Sequence, residues 1–258
     1  MPMFRTRRSG AIFEEAHVSV PAIPDCFKQF GALMHLAEVD MASVHRWGPF
    51  RNLPPGVTDQ SSGLHSFSLA LVTSSVVHDL RPHVRLDEAQ LLRAILVHDL
   101  SEGILGRDVD RRRKTVVDDV AEYRAFCNFA VGFANGSMRR VREDFLLQFC
   151  LTHEAAAEFD ADEHEIMAWL RTHCHHEAVA FRVLEEFEYQ LYAMRQYTDR
   201  GNTAVIEAVI RNNLDNFETW AQRLPGFVET YGVAEYCAWC RAEYARLKGP
   251  PPPQGGDL

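Results

Sequence analysis

Leu91-Leu92-Arg93-Ala94-Ile95-Leu96-Val97-His98-Asp99-Leu100-Ser101-Glu102 is among the most apolar stretches of this 258-residue chain, and it runs into a histidine–aspartate pair. A segment that apolar belongs inside the protein. Burying an imidazole and a carboxylate side by side costs free energy unless both are paired. They can pair with each other as a plain salt bridge. They can also share a divalent metal ion, since neutral imidazole and ionised carboxylate are both good ligands. Glu102 stands four residues after His98 and three after Asp99, so a continuous helix would put all three on one face. Asp87 reads as the N-cap of the helix that carries His98.

The same helical spacing recurs along the chain. Apolar residues repeat at 3.6-type intervals over 66–80, 116–133, 139–159, 163–173, 178–197 and 204–224. No alternating strand pattern interrupts them. Gly48-Pro49 and the Pro/Gly-rich 52–56 mark a loop before the second helix. The expected fold is all-α, a helical bundle over 31–248 with an irregular N-terminal arm over 1–30. The Pro/Gly tail over 249–258 has nothing with which to pack.

Composition narrows the function classes. With 47% apolar residues the chain can bury a sizeable core. No run of 18 uncharged apolar residues occurs, so no membrane span is expected. The basic first residues are not followed by a signal-peptide core, and the expected location is cytoplasmic. The net charge of −9, from 27 basic and 36 acidic residues, argues against a polymeric nucleic-acid partner. Six cysteines do not suggest a disulfide framework, and Cys237-Ala238-Trp239-Cys240 reads as core packing rather than a zinc site. Two basic groups stand out: Arg107 with Arg111, Arg112, Arg113 and Lys114, and Arg139 with Arg140 and Arg142. The second reads as solvated surface.

A metal held by His98 and Asp99 alone would bind weakly, and all-α proteins recruit further ligands from separate helices. His65, flanked by Ser61-Ser62-Gly63-Leu64 and Ser66-Phe67-Ser68, opens the preceding helix. Here the chain resembles the HD-domain phosphohydrolases, which carry a histidine opening one helix, a His-Asp pair on the next and an acid on a later one. The nearest likeness is to the HD-type 5′-deoxynucleotidases. Three motifs in order carry it, over roughly residues 30 to 200: His45-Arg46-Trp47-Gly48-Pro49-Phe50-Arg51-Asn52, Leu64-His65-Ser66, and Val97-His98-Asp99-Leu100-Ser101-Glu102 followed by Gly106 and Asp108.

The resemblance implies an HD helical bundle with one divalent ion, cobalt, manganese, zinc or magnesium, bound by His65, His98, Asp99 and a fourth acid. It implies that Glu102 handles protons and that Asp108 contacts the sugar within the catalytic group. Arg46 would hold phosphate and Trp47 would pack on the sugar. The substrate would be a small nucleotide, a 5′-deoxynucleoside monophosphate, and the chain would form a homodimer or higher homo-oligomer. The fourth ligand departs from the family pattern. Leu184-Glu185-Glu186-Phe187-Glu188 stands where the family has Leu-Asp-Lys-Phe-Glu, so Glu185 takes the aspartate's place. An ungapped register would choose Glu186 instead. Adjacent helical side chains diverge by about 100°, so one of the two is the ligand and the other is dispensable. Glu188, one turn from Glu185, is then available to orient a ligand.

A second departure follows Gly106, where the family has Gly-Asp-Leu-Pro-Thr-Pro. This chain has Gly106-Arg107-Asp108-Val109-Asp110-Arg111, with one residue inserted and no proline. The extra arginines leave a deoxynucleoside triphosphate substrate open. Two other readings stand beside these. A di-iron HD oxygenase would need two more histidines, with His153, His173, His175 and His176 as candidates. A catalytically inactive HD scaffold would only bind nucleotides.

Overall fold

A computed structural model describes residues 25–46, 60–109, 113–132 and 137–248. The chain runs in order through α1 Asp25–His35, a π-helical turn Leu36–Asp40, α2 Met41–Ser43, α3 Ser62–Leu80, α4 Glu88–Val97, α5 Leu100–Leu105 and α6 Val116–Ala130. It continues through α7 Met138–Leu146, α8 Ala161–His173, α9 His175–Arg200, α10 Thr203–Ala221, α11 Phe227–Tyr231 and α12 Val233–Lys248. The fold is an all-α bundle, with no strand among the described residues beyond a single bridge between His45 and Ser61. Among the described residues no helix is long and apolar enough to cross a membrane.

The helix α9 is the axis. Its 26 residues span about 39 Å at 1.5 Å per residue. Ala178, Val179, Ala180, Phe181, Val183 and Leu184 are buried in one run, so the helix is covered on nearly every side. It packs against α3, α4, α8 and most extensively α10. The pair α3 and α4 lies across it, and α5 leans on α6 and on the π turn. Gly103 makes the last contact close. A Cβ there would lie 2.8 Å from Leu36 Cδ1 and 3.1 Å from Met41 Cγ.

Local chemistry starts the helices where capping side chains stand. Asp87 caps α4 as expected, accepting from Gln90 N–H. Ser61 caps α3 by accepting from Leu64 N–H, so this helix begins four residues before the apolar repeat does. Thr115–Asp118 and Asp160–Glu163 form capping boxes at α6 and α8.

Two expectations fail. The helix read over 139–159 ends at Leu146, and the chain turns through 147–160. There Phe149 and Phe159 join Tyr123 and Phe145 in one aromatic cluster, and His153 bonds Asp119 at 2.9 Å. Burial of these rings outweighs continuation of the helix. The other correction is at Asp99. His98 is the C-cap of α4, and Asp99, at φ −102° and ψ 1°, separates α4 from α5. His98 and Glu102 therefore do not share one continuous helix, although Glu102 N–H still bonds Asp99 C=O at 2.9 Å.

Candidate metal centre

His65, His98 and Asp99 converge, each offering a ligand atom within 4.8 Å of the others, and all three residues are buried. Two features bring them together. Capping by Ser61 sets His65 in the first turn of α3, where its N–H bonds Ser61 C=O at 2.9 Å. The break after α4 turns His98 and Asp99 toward it.

The hydrogen bonds decide which imidazole nitrogens are available. His98 Nδ1 lies 2.6 Å from the Ile95 carbonyl, which can only accept, so Nδ1 carries the proton. His65 Nδ1 lies 2.9 Å from Glu188 Oε2. Burial would push the Glu188 carboxyl up, but His65, Arg46 and Gln60 hold it below its usual value, so it is ionised and His65 Nδ1 donates. Gln60 Nε2 donates to the other Glu188 oxygen at 2.6 Å. With Nδ1 engaged in each ring, Nε2 is the nitrogen left for a ligand when the ring is neutral, and both Nε2 atoms are buried without a hydrogen-bond partner. His98 Nε2 lies 3.1 Å and His65 Nε2 3.8 Å from the Asp99 carboxylate. A histidine anchored at Nδ1 by a carbonyl or carboxylate, with Nε2 open, is the usual arrangement of a metal-ligating histidine. These residues fit a divalent ion.

Arg46 is drawn in by backbone pairing between two segments. Its N–H bonds Gln60 C=O at 3.0 Å, and Ser62 N–H bonds Val44 C=O at 3.0 Å. Its guanidinium donates from Nη1 to Asp99 Oδ2 and from Nη2 to the Tyr189 hydroxyl. Nε is buried without a partner. Burial disfavours the charge on Arg46, but Tyr189 and then Asp99, Glu102 and Asp108 more than restore it. The Asp99 carboxyl is raised by burial and lowered further by His98 and Arg46, ending well below the carboxylate range. His98 moves up, because Asp99 outweighs its burial.

Glu102 is buried and accepts a hydrogen bond from Ser62 Oγ. Burial first, then the Asp99 charge, push its carboxyl well above the usual range. Asp108 hydrogen-bonds Glu102 and is itself raised by burial. The structure thus gathers Arg46, His65, His98, Asp99, Glu102 and Asp108 into one site. Trp47 lies outside the described residues, as do Asp110, Arg111, Arg112, most of the arm over 1–30 and the tail over 249–258.

Three glutamates in the middle of α9, Glu185, Glu186 and Glu188, divide their work. Glu185 is not in the 4.8 Å ligand group; it accepts from Arg182 Nη1 at 2.9 Å, while its charge reaches His98. Glu186 is wholly buried and accepts from Asn213 at 3.1 Å and Asn216 at 2.7 Å, tying α9 to α10. It is therefore a packing residue of the bundle and not a dispensable surface acid. Glu188 orients His65. Sequence reading assigned nothing to Gln60, Ser62 or Tyr189, because each acts on a residue distant in the chain and none has a motif of its own.

Other candidates separate from the site. Among the described residues, none of His153, His173, His175 and His176 joins the ligand group; His153 bonds Asp119 and Thr152, and His173 bonds the Trp169 carbonyl. Lys114 is engaged by Glu122 at 2.6 Å and Asp119 at 3.2 Å. Cys237 and Cys240 are free thiols buried in the core of α12. No family model, curated protein or solved structure matches the chain.

Proposed function

We propose that this protein is a metal-dependent phosphohydrolase that removes phosphate from 5′-deoxynucleoside monophosphates. One observation carries the reading. Three buried nitrogens around Asp99 have no hydrogen-bond partner: Nε2 of His65, Nε2 of His98 and Nε of Arg46. An unsatisfied buried polar group costs about 1–3 kcal/mol, so three in one place call for a ligand. Two of them are lone pairs when their rings are neutral, which suits a cation. The third is a donor on a permanently charged guanidinium, which suits an anion. A metal–phosphate pair answers all three.

His65, His98 and Asp99 would hold the ion, with Glu185 as the further ligand that the family resemblance implies. A bound divalent ion neutralises phosphate charge and lowers the pKa of its water. The protein's own groups supply the rest. Arg46 binds a phosphate oxygen through Nε. Glu102 holds a proton at its carboxyl, steadied by Ser62 and Asp108, and delivers it to the leaving sugar oxygen. Glu188 keeps the His65 ring in the tautomer that leaves Nε2 open. Trp47 packs on the sugar.

The test is a panel of nucleoside mono- and triphosphates with cobalt, manganese, zinc and magnesium, scoring orthophosphate against triphosphate release, with Asp99→Ala as control. Orthophosphate from deoxynucleoside monophosphates, absent in the control, is expected. Triphosphate release would move the substrate class. No hydrolysis with any metal by a protein that binds cobalt would reduce the chain to a binding scaffold.

A further inference from the structure

Tyr189 touches both halves of this site. Its hydroxyl accepts from Nη2 of Arg46, and the Arg46 Cζ lies 5.3 Å from its ring centroid. The same ring stacks on His65, with 5.8 Å between centroids and 22° between planes. It stands on α9 one residue after Glu188, which holds the Nδ1 edge of His65. The Arg46 guanidinium is thus gripped at two points, Nη1 on Asp99 and Nη2 on Tyr189. Its plane is set before any anion arrives, and Nε is the donor left without a partner.

A long arginine side chain loses much rotamer freedom when it is ordered. One already ordered binds its anion more tightly, because that loss has occurred on folding. We propose that Tyr189 is a positioning residue with two separable effects. Its hydroxyl holds Arg46 in place for the phosphate group, and its ring buttresses His65 for the metal. The first effect rests on the reading above, that Arg46 receives phosphate.

Tyr189→Phe removes the hydroxyl and keeps the ring; Tyr189→Leu removes both. Cobalt affinity, by visible absorption, and inorganic phosphate affinity of the cobalt-loaded protein, by calorimetry, separate the two effects. A hydrogen bond to a charged group predicts that Tyr189→Phe weakens phosphate binding about tenfold and leaves cobalt binding unchanged. Tyr189→Leu is expected to weaken both. The effect of Tyr189→Phe on phosphate must vanish in an Arg46→Ala background, because it acts through the guanidinium.

Phosphate binding by Tyr189→Phe equal to wild type would overturn the role, and so would the same loss with Arg46 absent. Wild-type protein that binds cobalt but not phosphate would instead refute the phosphate reading of Arg46, and the hydroxyl's role with it. A wild-type cobalt affinity in Tyr189→Leu would remove the ring's role.

Discussion

Glutamine in place of Glu188 changes one atom and one charge at the back of His65. In the native arrangement both carboxylate oxygens accept, one from His65 Nδ1 at 2.9 Å and one from Gln60 Nε2 at 2.6 Å. The side chain is only 5% exposed, so water does not compete. A glutamine amide has one accepting oxygen and one donating nitrogen. It serves one of the two donors and sets its own N–H groups against the other. If Gln60 keeps the oxygen, the His65 ring is pushed toward the tautomer with the proton on Nε2, and its lone pair turns away from the site. Loss of such an outer partner typically costs 10–100-fold in metal affinity, or about 1.4–2.8 kcal/mol. The assay is cobalt titration in competition with a chelator, alongside thermal unfolding in excess chelator. Expected is a 10–100-fold weaker site in a protein that still folds. A Glu188→Gln protein with native melting and wild-type cobalt affinity would show that Glu188 does not set the His65 tautomer.

Four further outcomes follow from the same geometry. Glu186→Ala leaves the half-buried Asn213 and Asn216 amides without their carboxylate partner, costing roughly 1–3 kcal/mol in total, since water reaches part of each; a chelator-treated protein with unchanged Tm would contradict this. Glu102→Gln is expected to keep cobalt binding and lose about 10²–10⁴-fold in turnover, and an unaltered kcat would return Glu102 to a purely structural role. Gly103→Ala forces Leu36 and Met41 to repack at a cost of about 1–3 kcal/mol, to be read by denaturant unfolding. Cobalt affinity falls as pH drops: Asp99 raises the His98 imidazole, and below its pKa one competing proton weakens the metal about tenfold per pH unit. Affinity constant from pH 8 to 5 would mean that His98 is not a ligand.

The α9 glutamates show where sequence reasoning runs short. Helical phase separates Glu185 from Glu186 but does not say which direction is solvent, because α9 is covered on nearly all sides. On such a helix acids at different phases are buried, as Glu186 and Glu188 are, and only their neighbours distinguish a ligand from a packing residue. Glu186 meets the amides of α10, and Glu188 meets His65 on α3. Neither neighbour is written in the local pattern.

Unlike the Ser61 cap of α3, the all-α class, the Asp87 cap of α4 and the His65, His98, Asp99 set were legible in the chain. These depend on residue type and near spacing: 3.6-residue periodicity, a short side chain that accepts from the N–H three residues on, and ligand chemistry inside apolar sequence. The break at Asp99 and the turns over 147–160 were not legible, since packing overrode helix propensity at both. Nor were most of the partners that tune the site: helical spacing offered Glu188 as a residue to orient a ligand but did not give His65 as its target. Glu188 reaches His65 across 123 residues, and Tyr189 reaches Arg46 across 143. Tautomer, guanidinium position and the carboxyl state of Glu102 are set by contacts between elements far apart in the chain. Such contacts exist only once the apolar faces of α3, α4 and α9 have packed together.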